Sequence, residues 1–135
     1  MPVAKLPSKL EAELNAEFKF TVEHNHEAGL LNDWNTGRIF VNPAPPYRQG
    51  SVELYINKAL RCKAELIVLL VPCDVSTDWF NKVWELHEKV PDYIELRFFR
   101  GRIKYENTEK DEETSRFAHR IPSCLVIIRN PEVGN

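Results

Sequence analysis

The segment Asn42-Pro43-Ala44-Pro45-Pro46-Tyr47 directly follows the short apolar run Arg38-Ile39-Phe40-Val41. A carboxamide oxygen and a proline carbonyl accept N–H donors, and an aromatic ring offers a flat face for stacking. At the end of a strand this combination suits the gripping of a planar amino group. The same residues also suit a proline-stiffened strand-to-helix connection with a capping Asn, and both readings stand on the residues alone.

Two further polar groupings bear on chemistry. Pro72-Cys73-Asp74-Val75-Ser76-Thr77-Asp78-Trp79-Phe80 closes a second aliphatic run, and its Asp, Ser and Thr residues suit either helix capping or substrate contact. Arg97, Arg100, Arg102 and Lys104 gather cations around Gly101. Such a cluster can sit on DNA phosphates, adding salt-dependent affinity without sequence choice, or form a solvated hairpin. Arg116, Arg120 and Arg129 extend the patch, whereas the acids between Glu106 and Glu113 oppose it. The net charge of -2 gives no global attraction to polyanions, so any nucleic-acid contact has to be local.

Cys62, Cys73 and Cys124 are odd in number and lack metal-ligand spacing, which indicates reduced thiols and neither a disulfide framework nor a zinc site. His24 and His26 would share one face of a strand, but they form no recognised zinc motif. No stretch approaches the roughly 18 apolar residues of a membrane span, and Met1-Pro2-Val3-Ala4-Lys5 lacks the apolar centre of a signal peptide. A cytoplasmic or nuclear location is therefore expected. A chain of 135 residues, 43% of them hydrophobic, can bury one core and is too short for two ordinary domains, so a single domain over 1–135 is expected.

The elements that must position these residues follow from periodicity. Ser8 and Glu11 have capping-box spacing, and Leu10, Leu14 and Phe18 recur at helical intervals, predicting a helix over about Ser8 to Glu17. Phe18, Phe20 and Val22 alternate with polar residues as in a strand. His24 to Asn35 shows no convincing element, and Gly37 precedes the strand Arg38 to Val41. Ser51 is placed to cap a helix whose apolar face is Val52, Tyr55, Ile56, Ala59 and Leu60. Leu66 to Val71 reads as a central parallel strand, ended by Pro72.

Beyond it, Ser76, Thr77 or Asp78 would cap a helix carrying Phe80, Val83, Trp84 and His87, stopped by Pro91. Tyr93 to Phe99 is a further strand, and Gly101 allows a hairpin-like reversal into Ile103-Lys104-Tyr105. Glu106 to Ser115 reads as a charged surface loop, and Ser123 to Arg129 as the last strand. The alternation predicts an α/β fold, a mostly parallel sheet with helices on both faces and an antiparallel last strand at or near its edge. Ligands of such sheets lie beyond the carboxyl ends of the strands, so both polar loops would border one cleft.

Leu6-Pro7, Leu10, Leu14-Asn15-Ala16-Glu17-Phe18, Gly37 to Pro43, the Pro-Pro-Tyr at Pro45 to Tyr47, Lys58-Ala59, Leu69 to Pro72, Thr77, Trp79-Phe80 and Gly101 to Tyr105 resemble, in order and spacing, phage-type DNA N-6-adenine methyltransferases (Dam). The resemblance spans most of the chain. It implies a small Rossmann-like methyltransferase fold, S-adenosylmethionine as cofactor, DNA as partner, and methyl transfer to the exocyclic amine of adenine. It also implies Asn42 as acceptor for that amine, Pro43 or Pro45 as source of a second acceptor carbonyl, Pro46 within the motif, and Tyr47 as the stacking ring. Pro7 and Glu23 fall to the cofactor, and Arg97, Arg100, Arg102 and Lys104 to DNA.

The chain departs from that family pattern in three respects. Tyr47 lies five residues after Asn42 where Asn-Pro-Pro-Tyr would place it three after, and aligning on Pro45-Pro46-Tyr47 puts Ala44 at the amide position. The stretch following Glu23 is shortened, and glycines at 29, 37, 50, 101 and 134 supply no Gly-x-Gly loop. A catalytically silent relative that binds nucleic acid or a protein partner is the alternative these departures support.

Overall fold

A computed structural model describes residues 4–25, 27–43, 50–101, 103, 106–107 and 122–130. Its centre is the ladder between β4 (Leu66–Pro72) and β7 (Ser123–Arg129), which pair antiparallel along their whole length, from Leu66↔Arg129 to Pro72↔Ser123. Parallel strands β3 (Arg38–Asn42) and β2 (Val22–Asn25) add on one side, and β5 (Ile94–Phe98) pairs with β7 on the other. The five-stranded order is β2-β3-β4-β7-β5. The sheet is thus mixed rather than mostly parallel, because β7 inserts between β4 and β5 and makes both its pairings antiparallel.

Alternation along each strand divides the apolar side chains into two layers. Ile39, Val41, Ile67, Leu69, Val71, Val126 and Ile128 face α2 (Ser51–Arg61) and α3 (Asp78–Lys89), which contribute Tyr55, Ile56, Phe80 and Val83. Phe40, Leu66, Val68, Leu70, Leu125 and Ile127 face α1 (Ser8–Phe18), which contributes Leu14 and Phe18. Burial on both faces is the reason Leu66 to Val71 is uninterruptedly aliphatic. The three helices lie on both sides of the sheet, an arrangement compatible with a small Rossmann-like fold.

Several boundaries differ from the sequence reading. Phe18 closes α1 instead of opening a strand, because Lys19 turns left-handed (φ 51°) and donates its N–H to Asn15 O at 2.9 Å. Phe20 then stacks between Phe18 and Phe40, at centroid distances of 5.6 and 5.0 Å, and the strand begins at Val22. A 3-10 helix over Glu27–Leu31 occupies part of the stretch expected to be irregular. Pro7 and Gly50, rather than Ser8 and Ser51, hold the N-cap positions of α1 and α2, while Thr77 caps α3 by accepting from Phe80 N.

Of the reversal expected after Gly101 into Ile103-Lys104-Tyr105, only Ile103 lies within the described residues. Glu106–Asn107 (β6) pair antiparallel with Ala4–Lys5 (β1), so part of the expected charged loop is a small second sheet. Ile103 is buried in the α1-side layer, and Lys104, Tyr105 and residues 108–115 lie outside the described residues.

Gly37 sets the approach to β3. Its φ is +88°, and a Cβ there would lie 2.6 Å from Thr21 Oγ1. That hydroxyl cannot easily yield, since it accepts from Arg38 N at 3.0 Å and donates to Arg38 O at 3.3 Å. Gly37→Ala should lower unfolding stability by about 1 kcal/mol or more in chemical denaturation. A Gly50→Ala control, at φ +79° but with no atom within 4 Å of the added methyl, should lose less.

Candidate active site at the strand ends

Parallel strands β2, β3 and β4 finish together, in Asn25, Asn42 and Pro72, so their outgoing loops share one edge of the sheet. Asn42 is 4% exposed, and its Oδ1 is buried without a hydrogen-bond partner among the described residues. Strand alternation places it on the α1 side with Phe40 and Leu70, at the rim of that apolar layer. An unpartnered buried acceptor costs on the order of 1–3 kcal/mol. Such an atom is a poor choice for stability alone and a good receptor for an incoming N–H. Pro43 is buried beside it, whereas Pro45, Pro46 and Tyr47 lie outside the described residues.

The helix α1 ends at the start of β3, where Arg38 Nε donates to Phe18 O at 2.7 Å. Its other end, with Pro7 at the N-cap, therefore points toward the edge carrying Asn42. The loop after β4 forms the adjacent rim. Asp74 Oδ1 accepts from Ser76 N (3.1 Å) and Ser76 Oγ (2.6 Å), and Thr77 Oγ1 donates to Asp74 O (2.7 Å). These residues close a rigid turn and cap α3, so capping accounts for their polar groups without a substrate.

The cofactor side is less complete. Glu23 is exposed on β2, two register rows before Asn42 and on the same sheet face. Its carboxylate suits the hydroxyls of a bound ribose. Among the described residues, however, β2 is the edge of the sheet, which leaves one flank of such a ligand open. Among the described residues there is no glycine cradle either. A Cβ on Gly29 would lie 2.8 Å from His24 Cβ, so this glycine serves close packing of the 3-10 helix on β2. Gly37 lies at the opposite end of its strand. Among the described residues, Glu23 is thus the group that would suit the sugar of S-adenosylmethionine, with no glycine cradle beside it.

Behind this edge, on the opposite sheet face, the His24 ring stacks on Trp34 (5.8 Å) and Trp34 on Tyr55 (6.4 Å). Lys58 Nζ sits 4.8 Å from the Trp34 ring and donates to the carbonyls of Leu30 and Asn32. Burial, and then the Lys58 charge, push the His24 imidazole below its ordinary value and keep it neutral near pH 7. This stack fixes the segment after β2, a role that its polar appearance in the sequence did not signal. Among the described residues no group of three or more His, Cys, Asp or Glu is disposed to hold a metal ion, and His26 lies outside them. Cys62, Cys73 and Cys124 are free thiols, and burial pushes Cys73 and Cys124 upward, away from the reactive thiolate.

The basic cluster is divided. Arg97 donates to Glu17 at 2.7 Å and to Glu95 at 3.0 Å, and its guanidinium lies over the Phe18 ring, so its charge is met within the protein. Arg129 completes the group through Glu95 Oε1 at 2.8 Å. Arg100 is exposed and forms no ion pair among the described residues; Arg102 and Lys104 lie outside them.

Partial burial opposes ionisation of Glu95, but hydrogen bonds from Arg129 and Arg97 outweigh it and hold the carboxyl below its ordinary range. A depressed carboxylate stabilises the fold above its unfolded pKa, roughly 4.3, and that contribution fades as pH falls through the folded value. Glu95→Gln should therefore cost up to about 1 kcal/mol at pH 7, with the gap to the wild type closing below about pH 4 in denaturation series.

Among the described residues no helix is long and apolar enough to cross a membrane. No curated protein matches the chain. The family profile described as DNA N-6-adenine-methyltransferase (Dam) matches residues 10–133, nearly the whole chain and including the strand ends that carry Glu23 and Asn42. By that match the chain belongs to the DNA N-6-adenine-methyltransferase (Dam) family.

Proposed function

We propose that this protein transfers a methyl group from S-adenosylmethionine to the exocyclic amine of adenine in DNA, on a Rossmann-like methyltransferase scaffold reduced at one edge. The observation that carries the reading is Asn42 Oδ1 at the end of β3, buried and without a hydrogen-bond partner among the described residues, in a chain of the Dam family. The adenine amine is a poor nucleophile because its lone pair is delocalised into the ring. Asn42 Oδ1 accepts one amine N–H and a carbonyl from Pro43 or Pro45 accepts the other, which favours a pyramidal nitrogen with a localised lone pair. Pro46 belongs to the same motif, and the Tyr47 ring stacks on the base once it is flipped from the duplex. Glu23 and Pro7, the N-cap residue of α1, hold the cofactor, which supplies an electrophilic methyl on a sulfonium. Arg100, with Arg102 and Lys104, meets phosphate; Arg97 supports that rim through its ion pairs with Glu17 and Glu95.

The second reading is a family member that binds adenine-containing DNA without methylating it. It is favoured by the edge position of β2 and by the commitment of Gly29 and Gly37 to internal packing. Calorimetry with S-adenosylmethionine, joined to methyl incorporation into unmethylated duplex DNA, separates the two. The enzyme reading expects both signals and a loss of about 100-fold or more in the rate of incorporation for Asn42→Ala. Absence of cofactor binding and transfer at high protein concentration would leave the silent relative.

A further inference from the structure

Among the described residues the buried polar side chains are those of Asn42, Ser51 and Ser123. Asn42 belongs to the candidate site, and Ser51 stands in the first turn of α2, where unpaired backbone N–H groups favour a polar residue. Ser123 has no such local reason. It opens β7 at 4% exposure, and alternation with Cys124 and Leu125 puts it on the α1 face of the sheet, the face of Asn42. Its neighbours there are Pro72 across the ladder, Leu125 two residues along and Phe99, none with a polar side-chain group. A hydroxyl buried in such company is suited to a partner that arrives from outside.

Backbone contacts fix its position. Ser123 faces Pro72 in the ladder of β4 with β7, Cys73 N donates to Pro122 O at 2.7 Å, and Phe99 N donates to Ser123 O at 3.4 Å. Val41 pairs with Leu69, so Asn42 is level with Leu70, which pairs with Leu125; Ser123 therefore lies two strands across and two residues farther out. At about 4.8 Å per strand and about 3.3 Å per residue, the two Cα atoms are ~12 Å apart. Glu23 lies on the same face in the other direction, one strand from Asn42. Methyl transfer needs sulfur, methyl carbon and accepting nitrogen in line, so a cofactor on the β2 side puts the nucleotide on the side of β4 and β7. A flipped nucleotide that enters amine first keeps its sugar and phosphate outward of Asn42, toward the duplex. Ser123 is on that side and at that height.

We propose that Ser123 is a substrate-positioning residue whose hydroxyl donates a hydrogen bond to a phosphate oxygen flanking the target adenine, while Asn42 accepts from the amine at the other end of the same nucleotide. The inference rests on the DNA-binding part of the reading above and on its assignment of Asn42, and not on turnover. A neutral donor on a paired strand sets the register of one nucleotide, and it leaves the salt-dependent share of affinity to the cations.

The test is binding of the full chain to a G·C duplex holding a single adenine opposite an abasic site, where extrusion is cheap, with thermal denaturation to confirm that the variants fold. Ser123→Ala should bind about tenfold more weakly, and Ser123→Thr, which keeps the hydroxyl, should stay close to the wild type. The salt dependence of Ser123→Ala should match the wild type, because no cation is lost. A methylphosphonate in place of one of the two phosphates flanking the adenine should weaken the wild type and cost Ser123→Ala little more, the signature of a shared contact. Unchanged binding in Ser123→Ala, or a full further loss for that variant at both methylphosphonate positions, would overturn the proposal while leaving the DNA-binding reading intact. Failure of the wild type to bind the duplex would overturn both. Binding that depends on Ser123 without methyl incorporation would support the proposal and remove only the methyltransferase reading.

Discussion

Every other part of this fold is built outward from the pairing of β4 with β7, two seven-residue strands whose side chains are buried except at Arg129. Apolar side chains on both faces oblige the protein to supply two covering layers, and backbone pairing along the full length leaves no room to slip the register without moving polar termini into the core. The helices α2 and α3 cover one face and α1 the other. Because β3 is held parallel to β4, its last residue is fixed in height against Leu70. The position of Asn42 is thus a consequence of the central ladder.

That position creates a tension between stability and chemistry. A carboxamide oxygen buried without a hydrogen-bond partner among the described residues, as Asn42 Oδ1 is beside the layer of Phe40 and Leu70, is a poor choice for stability alone. The low dielectric that makes the unpaired oxygen costly is the same property that strengthens a hydrogen bond to an incoming amine. On the cofactor side the balance differs. The edge strand β2, with its two tightly packed glycines nearby, has been stabilised by internal contacts among His24, Trp34, Tyr55 and Lys58. The strand end at Asn42 and the edge strand that carries Glu23 are therefore held by different kinds of contact.

The cations illustrate why composition cannot assign roles. Arg97 and Arg100 are three residues apart, yet one spans Glu17 and Glu95 over an aromatic ring and the other faces solvent. Strand alternation sends Arg97 toward α1, and only the docking of α1 brings Glu17 within reach.

The sequence by itself determined the element types, the double-sided burial of Leu66 to Val71, the last strand at Ser123 to Arg129, and the family resemblance, because periodicity, aliphatic runs and motif order are local properties of the chain. It also placed Asn42 at a strand end. Tertiary structure decided the insertion of β7 between β4 and β5, the pairing of Glu106–Asn107 with Ala4–Lys5, the stack of His24 on Trp34, and the separation of Arg97 from Arg100. Each of these joins residues far apart in the chain, so packing complementarity and non-local strand pairing select it from alternatives that local pattern leaves equal.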